Sequence, residues 1–197
     1  MTQRSDDLTI GRALLGCARA AIAEALGLPA GQRRESDDHA SLAAHGACFV
    51  TLTRDASLRG CIGTLEAHRS LAADVRANAV AAALHDPRFA PLSAREFPGT
   101  VIEVSVLGAA RPLAARAQAD VLAQVRPYED GLVIAWRGQR ATFLPQVWET
   151  LPDPVDFLRE LKRKARLPVD FWAPDVQVST YRVEKWSERD PALAGQG

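Results

Sequence analysis

The chain holds few of the residues that advertise chemistry. Its 197 residues include three cysteines, four histidines and one methionine. Cys17, Cys48 and Cys61 are an odd set with no C-x-x-C, which speaks for reduced thiols in the cytoplasm and against a disulfide framework. His39, His45, His68 and His85 fall in no recognised ligand spacing, so no metal is expected within this chain. An excess of one charge is missing too: 24 Lys plus Arg balance 24 Asp plus Glu. A formal net charge of zero argues against a general binder of nucleic acid or anionic membrane. No stretch nears the roughly 20 apolar residues of a membrane helix. The start, Met1-Thr2-Gln3-Arg4-Ser5-Asp6-Asp7, has no signal-peptide core, and a cytoplasmic protein is expected. Ser/His/Asp nucleophile elbows, P-loops and G-x-G-x-x-G fingerprints are absent, and no cofactor is expected. What is present is ordinary for a soluble globular chain: 47% hydrophobic and 24% charged residues, with length enough for a sizeable core.

Periodicity divides the chain into two similar halves. A helix is predicted over about residues 8–26, with Ile10, Leu14, Leu15, Ala18, Ile22 and Leu26 on one face and Gly27 as its stop. Residues 28–45 read as an exposed loop. Strands are predicted at 48–52 and 58–65, turning through Arg54-Asp55-Ala56-Ser57. Ser70 caps a helix to about Leu84, with Leu71, Val75, Ala79 and Ala83 inward. Ser93 and Glu96 have capping-box spacing for a short turn. Thr100 to Leu107 alternates strictly: Ile102, Val104 and Val106 against Glu103 and Ser105. The order then recurs: a helix at 117–125, a hairpin of 132–136 and 140–144, a helix capped by Asp153-Pro154 running to about Leu167, and a last strand over about 176–187. The predicted fold class is α+β: helix–hairpin–helix–strand units, duplicated in one domain over 8–188, around one curved, barrel-like, mostly antiparallel sheet. Residues 1–7 and 189–197 are expected to be flexible termini.

The most informative eight residues are Leu58-Arg59-Gly60-Cys61-Ile62-Gly63-Thr64-Leu65. Two glycines interrupt a strand, which marks a bulge or a close approach to the backbone. Strict alternation puts Leu58, Gly60, Ile62 and Thr64 on one face, the better core face. It puts Arg59, Cys61, Gly63 and Leu65 on the other, with guanidinium and thiol roughly 6.6 Å apart along the strand. Gly63 is expected to leave open space beside them. A cation so close favours the reactive thiolate. The alternative is that Cys61 is a small half-buried residue without chemistry.

This sequence resembles the AMMECR domain family, the A component of AmmeMemoRadiSam systems. The resemblance rests on Phe49-Val50-Thr51-Leu52, the R-G-C-I-G core at 59–63, and Asp86-Pro87-Arg88-Phe89-Ala90-Pro91-Leu92. It continues in Ile102-Glu103-Val104-Ser105-Val106-Leu107, Leu144-Pro145-Gln146-Val147-Trp148 and Phe157 to Ala165, and covers roughly residues 10–188. Ala90 stands where relatives more often carry proline. The resemblance implies a duplicated α+β domain with a barrel-like sheet and a cleft holding R-G-C-I-G. It also implies association with a Memo-type protein resembling extradiol dioxygenases and with a radical S-adenosylmethionine enzyme. It names no reaction.

Cys61 is therefore the candidate catalytic residue. Arg59, Gly60, Gly63, Asp86, Arg88 and Glu103 are candidate binding residues. Asp86 and Arg88 either line the same cleft or pin the corner after the helix. Glu103 is a general base, a partner of Arg59, or a solvated strand position. Arg159, Lys162, Arg163 and Arg166 share a helix face with Lys164 beside them, which suits phosphate or RNA, or simply solvent and salt bridges. Trp136, Trp148, Trp172 and Trp186 read as core residues, since no RNA-binding aromatic pattern accompanies them. The leading reading is a cleft that binds a small molecule or modified residue with thiol chemistry. The alternatives are a non-catalytic adaptor between the Memo-like and radical enzymes, and an RNA-contacting module.

Overall fold

A computed structural model describes residues 2–29 and 40–193, with side chains from residue 6 onward. The elements are α1 (Thr2–Ala25), β1 (Ala47–Arg54), β2 (Ser57–Gly63), α2 (Leu71–Leu84), β3 (Val101–Leu107), β4 (Arg111–Pro112), α3 (Gln118–Gln124), β5 (Gly131–Trp136), β6 (Gln139–Phe143), α4 (Pro154–Lys164), β7 (Gln177–Tyr181) and β8 (Val183–Ser187). The α+β class is as expected. The sheet is not: the strands form two four-stranded sheets, ordered β2-β1-β3-β8 and β4-β7-β5-β6, and neither closes into a barrel. The predicted last strand is two strands that part at Arg182, one serving each sheet. Alternation along 176–187 carries no signal for that change of sheet.

The chain packs as two compact units, residues 1–106 with 185–197, and residues 107–184. In the first unit Leu14, Ala18 and Ile22 of α1, Val75 and Ala79 of α2, Val50 and Leu52 of β1, and Ile102 and Val104 of β3 share one core. Ser70 caps α2 by accepting from the Ala73 amide at 3.3 Å, as its sequence predicts. In the second unit Trp148 stacks on Phe157 at 3.7 Å between centroids, above Leu132, Ile134 and Leu161. Asp153 caps α4 through the amides of Val155 and Asp156. That helix ends at Lys164, short of the expected Leu167, because Arg166 turns to a φ of 60°.

Segments near both ends of the described chain pack on the first unit. α1 begins at Thr2, not near Leu8. Trp186 packs on Gly11, where a Cβ would stand 2.3 Å from the indole, and its N–H donates to the Asp7 carbonyl at 3.1 Å. Glu188 takes a bidentate pair from Arg19 at 2.5 and 2.6 Å, and Leu193 is buried in the core. Residues 194–197 and Met1 lie outside the described residues, as does 30–39 of the expected loop. The remainder of that loop is partly structured: Ala40–Leu42 form a 3₁₀ turn with Leu42 buried. No helix among the described residues is long and apolar enough to cross a membrane.

Candidate functional site

The hairpin β1–β2 turns through Asp55 and Ala56, both at positive φ (49° and 62°), the backbone a tight two-residue hairpin requires. Pairing runs Arg54↔Ser57 and Thr53↔Leu58, then shifts to Leu52↔Gly60 and Thr51↔Cys61. Arg59 is the extra residue of a β-bulge. Without the bulge Gly60 would stand opposite Thr51. With it, Cys61 does, and the Thr51 hydroxyl donates to the Cys61 sulfur at 3.4 Å.

The bulge also breaks the alternation on which a same-face Arg59–Cys61 pair depended. Arg59 is instead committed to Glu96, its Nε and Nη2 donating at 3.3 and 3.4 Å. Glu96 also receives Arg54 at 3.2 Å and the Ser93 amide and hydroxyl at 2.9 and 2.8 Å. The Ser93 amide first, and Arg59 second, bring the Glu96 carboxyl down to about 2. Arg59 Nη1 is buried and has no hydrogen-bond partner. Leu58, expected on the core face, is 44% exposed, since the bulge throws it out of register.

Both glycines admit close neighbours. A Cβ at Gly60 would lie 2.1 Å from the Ala82 carbonyl oxygen, so the α2 backbone rests directly on β2. At Gly63 the expected open space is filled: a Cβ would lie 2.3 Å from the Phe49 ring and 2.7 Å from the Cys48 carbonyl oxygen.

Asp86, just past α2, is buried and reaches across to β2. Its Oδ2 accepts the Cys61 amide at 2.8 Å and Arg88 Nη2 at 2.7 Å. Its Oδ1 accepts Arg88 Nε at 2.9 Å and the Arg88 amide at 3.1 Å. Arg88 Nη2 also donates to the Cys61 carbonyl at 3.0 Å. Arg88 first, then the Cys61 amide, holds the Asp86 carboxyl far below its ordinary range. The structure thus brings Asp86 and Arg88 to the backbone of Cys61, and the same pair pins the corner after α2. Glu103 is not with them. It pairs with Lys185 at 3.2 Å, and Arg59 pairs with Glu96 instead.

The other thiols are placed differently. Cys48 is buried on the core face, opposite in strand phase to Cys61, and burial pushes its thiol up to about 12. Cys17 is half-buried and bonds the Ala72 carbonyl at 3.7 Å. All three are free. Among the described residues no group of three or more His, Cys, Asp or Glu could hold a metal ion.

Sequence reasoning missed a buried polar cluster. Asp74 accepts from the Cys48 amide (2.9 Å), the Thr64 hydroxyl (2.5 Å), Arg69 Nε (2.9 Å) and Asn78 Nδ2 (3.0 Å). Asn78 also donates to the Cys48 carbonyl at 3.0 Å. The signal was present: Asp74 and Asn78 stand four apart, beside the inward-facing Val75 and Ala79. The basic helix is also not the free charged face its spacing suggested. Lys162 is 1% exposed and donates to Gln118 Oε1, Val169 O and Phe171 O at 2.6, 2.6 and 3.2 Å, with burial lowering its pKa. Arg159 pairs with Asp156 at 2.7 Å, and Arg163 with Glu160 at 2.6 Å. Trp148 and Trp186 are core residues as expected, whereas Trp136 and Trp172 are half-buried and donate to Asp175 and to the Arg116 carbonyl.

Known proteins share the sequence and the fold. A protein of Methanothermobacter thermautotrophicus is 35% identical over 180 residues, covering 90% of this chain and 94% of that one. One of Aeropyrum pernix is 35% identical over 192 residues, covering 92% and 80%. The crystal structure of Uncharacterized Protein PH0010 from Pyrococcus horikoshii superposes with a TM-score of 0.73 at 31% identity, over 92% of each chain. The AMMECR1 family model matches residues 15–186, and the chain belongs to that family.

Proposed function

We propose that the R-G-C-I-G segment lines a cleft that binds a small molecule or modified residue, with Cys61 supplying thiol chemistry. The observation that carries the reading is the buried, unpartnered Nη1 of Arg59, two residues from Cys61. A buried guanidinium donor left unmade costs free energy on the order of 1–3 kcal/mol, more for a charged group, and an acceptor oxygen on a ligand would recover it. Arg59 is the anchor for that anionic or acceptor group, and Cys61, two residues further along β2, is the group able to react. Asp86 is no base here, because its carboxylate already accepts four donors. Profiling the metabolites of a Cys61→Ser strain against a deletion strain tests the reading. Thiol chemistry predicts that the two strains accumulate the same compound. A Cys61→Ser strain that matches wild type removes the chemistry from the proposal.

The partners are a Memo-like protein and a radical S-adenosylmethionine enzyme, in the cytoplasm. The non-catalytic adaptor is the second reading. It draws support from Leu58 and Leu65, 44% and 46% exposed at the two ends of the R-G-C-I-G segment. Co-purification with the Memo-like protein that is lost on alkylating Cys61 favours the adaptor; a complex that survives leaves the cleft to a small molecule. RNA contact through α4 has the least support, since Lys162, Arg159 and Arg163 already have partners within the protein.

A further inference from the structure

We infer that Arg88, held in place by Asp86, is the cation that faces Cys61, and that the two act as positioning residues for it. The inference rests on the reading that the Cys61 side of the hairpin is the functional one. β2 is an edge strand of its sheet. At an edge, residues whose amide and carbonyl point away from the neighbouring strand leave both groups without ladder partners. Cys61 is such a residue, and one tripeptide takes both groups: Asp86 accepts its amide at 2.8 Å and Arg88 donates to its carbonyl at 3.0 Å. Asp86 and Arg88 supply at this one residue what a further strand would supply along the whole edge. They also do what a strand would not: they bring a guanidinium within electrostatic reach of the thiol.

The chemistry of the two arginines near Cys61 differs accordingly. Arg59 is 85% withdrawn from solvent at its side chain, with 15% exposed, and its charge is offset by Glu96. Arg88 is 53% exposed at its side chain, so its outer edge meets solvent while Nε and Nη2 stay on Asp86 and Nη2 also holds the Cys61 carbonyl. An incoming group therefore reaches Cys61 through its side chain and in the field of Arg88. A peptide cannot add as a strand along β2 through Cys61, because the backbone groups it would need are occupied.

The test compares the alkylation rates of Cys61 by iodoacetate and by iodoacetamide, read by mass spectrometry on the folded full chain. The ratio of the two rates reports local charge, since changes in exposure affect both reagents alike. Arg88→Met is expected to lower the ratio about threefold, the size one unit charge about 6 Å away gives in a water-like dielectric. Asp86→Asn is expected to raise it by a similar factor, because it removes the counter-charge of Arg88. Arg88→Lys keeps the charge and should restore the wild-type ratio. Cys17, in the same molecule, should keep its ratio throughout. The inference is overturned if the Cys61 ratio is unchanged in both charge-removing variants, if Cys17 moves in parallel with it, or if Arg59→Met lowers the ratio as much as Arg88→Met. Where Arg88→Met does not fold, Asp86→Asn alone decides by the sign of its effect. No ligand enters the assay, so a failed search for one leaves the inference standing, and failure here leaves the Arg59 anchor untouched.

Discussion

The two hairpins of this chain start from the same plan and end in different chemistry. Both turn through two residues at positive φ, Asp55-Ala56 in β1–β2 and Arg137-Gly138 in β5–β6. In β5–β6 the register runs unbroken from Trp136↔Gln139 to Leu132↔Phe143, and the strands carry Trp, Phe, Leu and Ile. In β1–β2 a single extra residue shifts the register between Leu52 and Thr53. That shift moves Cys61 opposite Thr51, leaves Arg59 to Glu96, and turns the Cys61 amide and carbonyl out to Asp86 and Arg88. A duplicated architecture thus keeps one regular copy for packing, while the irregular copy gathers the polar groups. Bulges at a sheet edge commonly re-aim side chains in this way.

The sharpest way to break the comparison is at the glycines. Gly60→Val should destabilise the first unit by about 3 kcal/mol or more, because the new side chain meets the α2 backbone and not a movable side-chain tip. Gly138→Ala in the regular hairpin has open space and only a positive φ of 83° to accommodate, and should cost about 1 kcal/mol. Urea denaturation of both variants checks the order; equal losses would mean that β2 does not rest on α2 as described.

A smaller effect is expected from the buried lysine of the second unit. Lys162→Met keeps the bulk but strands the Gln118, Val169 and Phe171 acceptors. It should lower stability by about 1–3 kcal/mol, with no change in the rate of Cys61 alkylation. A stabilised variant would show that the three acceptors find water at no cost.

Acid separates the clamp from its surroundings. Asp86 and Glu96 both titrate below their ordinary range in the folded state. Their stabilising effect is complete above the unfolded carboxylate values, about pH 4 to 4.5, and is lost as pH falls toward about 2 for Glu96 and lower for Asp86. Asp86→Asn should therefore lower the neutral-to-alkaline plateau of a thermal-melt pH profile and flatten its acid limb, the two proteins converging as pH falls. A parallel downward shift at every pH would mean that Asp86 contributes no proton linkage.

The least disruptive probe is alkylation itself. Under limiting reagent Cys61 should label ahead of Cys48, whose buried thiol sits near 12, and ahead of Cys17, which bonds the Ala72 carbonyl. Peptide mapping reads the order without altering the fold, and preferential labelling of Cys48 or Cys17 would place reactivity elsewhere.

Local order was legible because it is written in neighbours along the chain. Ser70 and Asp153 cap the helices they precede, Leu14 and Ile22 face the core, and Ser93–Glu96 forms its capping box. Gly60 and Gly63 were rightly read as bulge or close-approach signals, although one approach is the α2 backbone and the other the Phe49 ring. The failures share a cause. Strict alternation presupposes a regular strand and so places Arg59 with the thiol and Leu58 on the core face, whereas the bulge changes the phase of both. Helical spacing assumed a solvated face, so Lys162 was counted with the surface charges. Each depends on what the rest of the fold presses against that residue, which no local window contains.

By itself the sequence determined the class, the order of helices and hairpins, the caps and the core faces of the helices, since these follow from periodicity, backbone preference and side-chain type. Only the tertiary structure decided the division into two sheets, the guanidinium that stands beside Cys61, and the pairing of Arg59 with Glu96. A one-residue register shift and the long reach of Asp86 from the end of α2 set those contacts. Both are satisfied by hydrogen bonds between segments some 25 to 37 positions apart, where pattern along the chain says nothing about proximity in space.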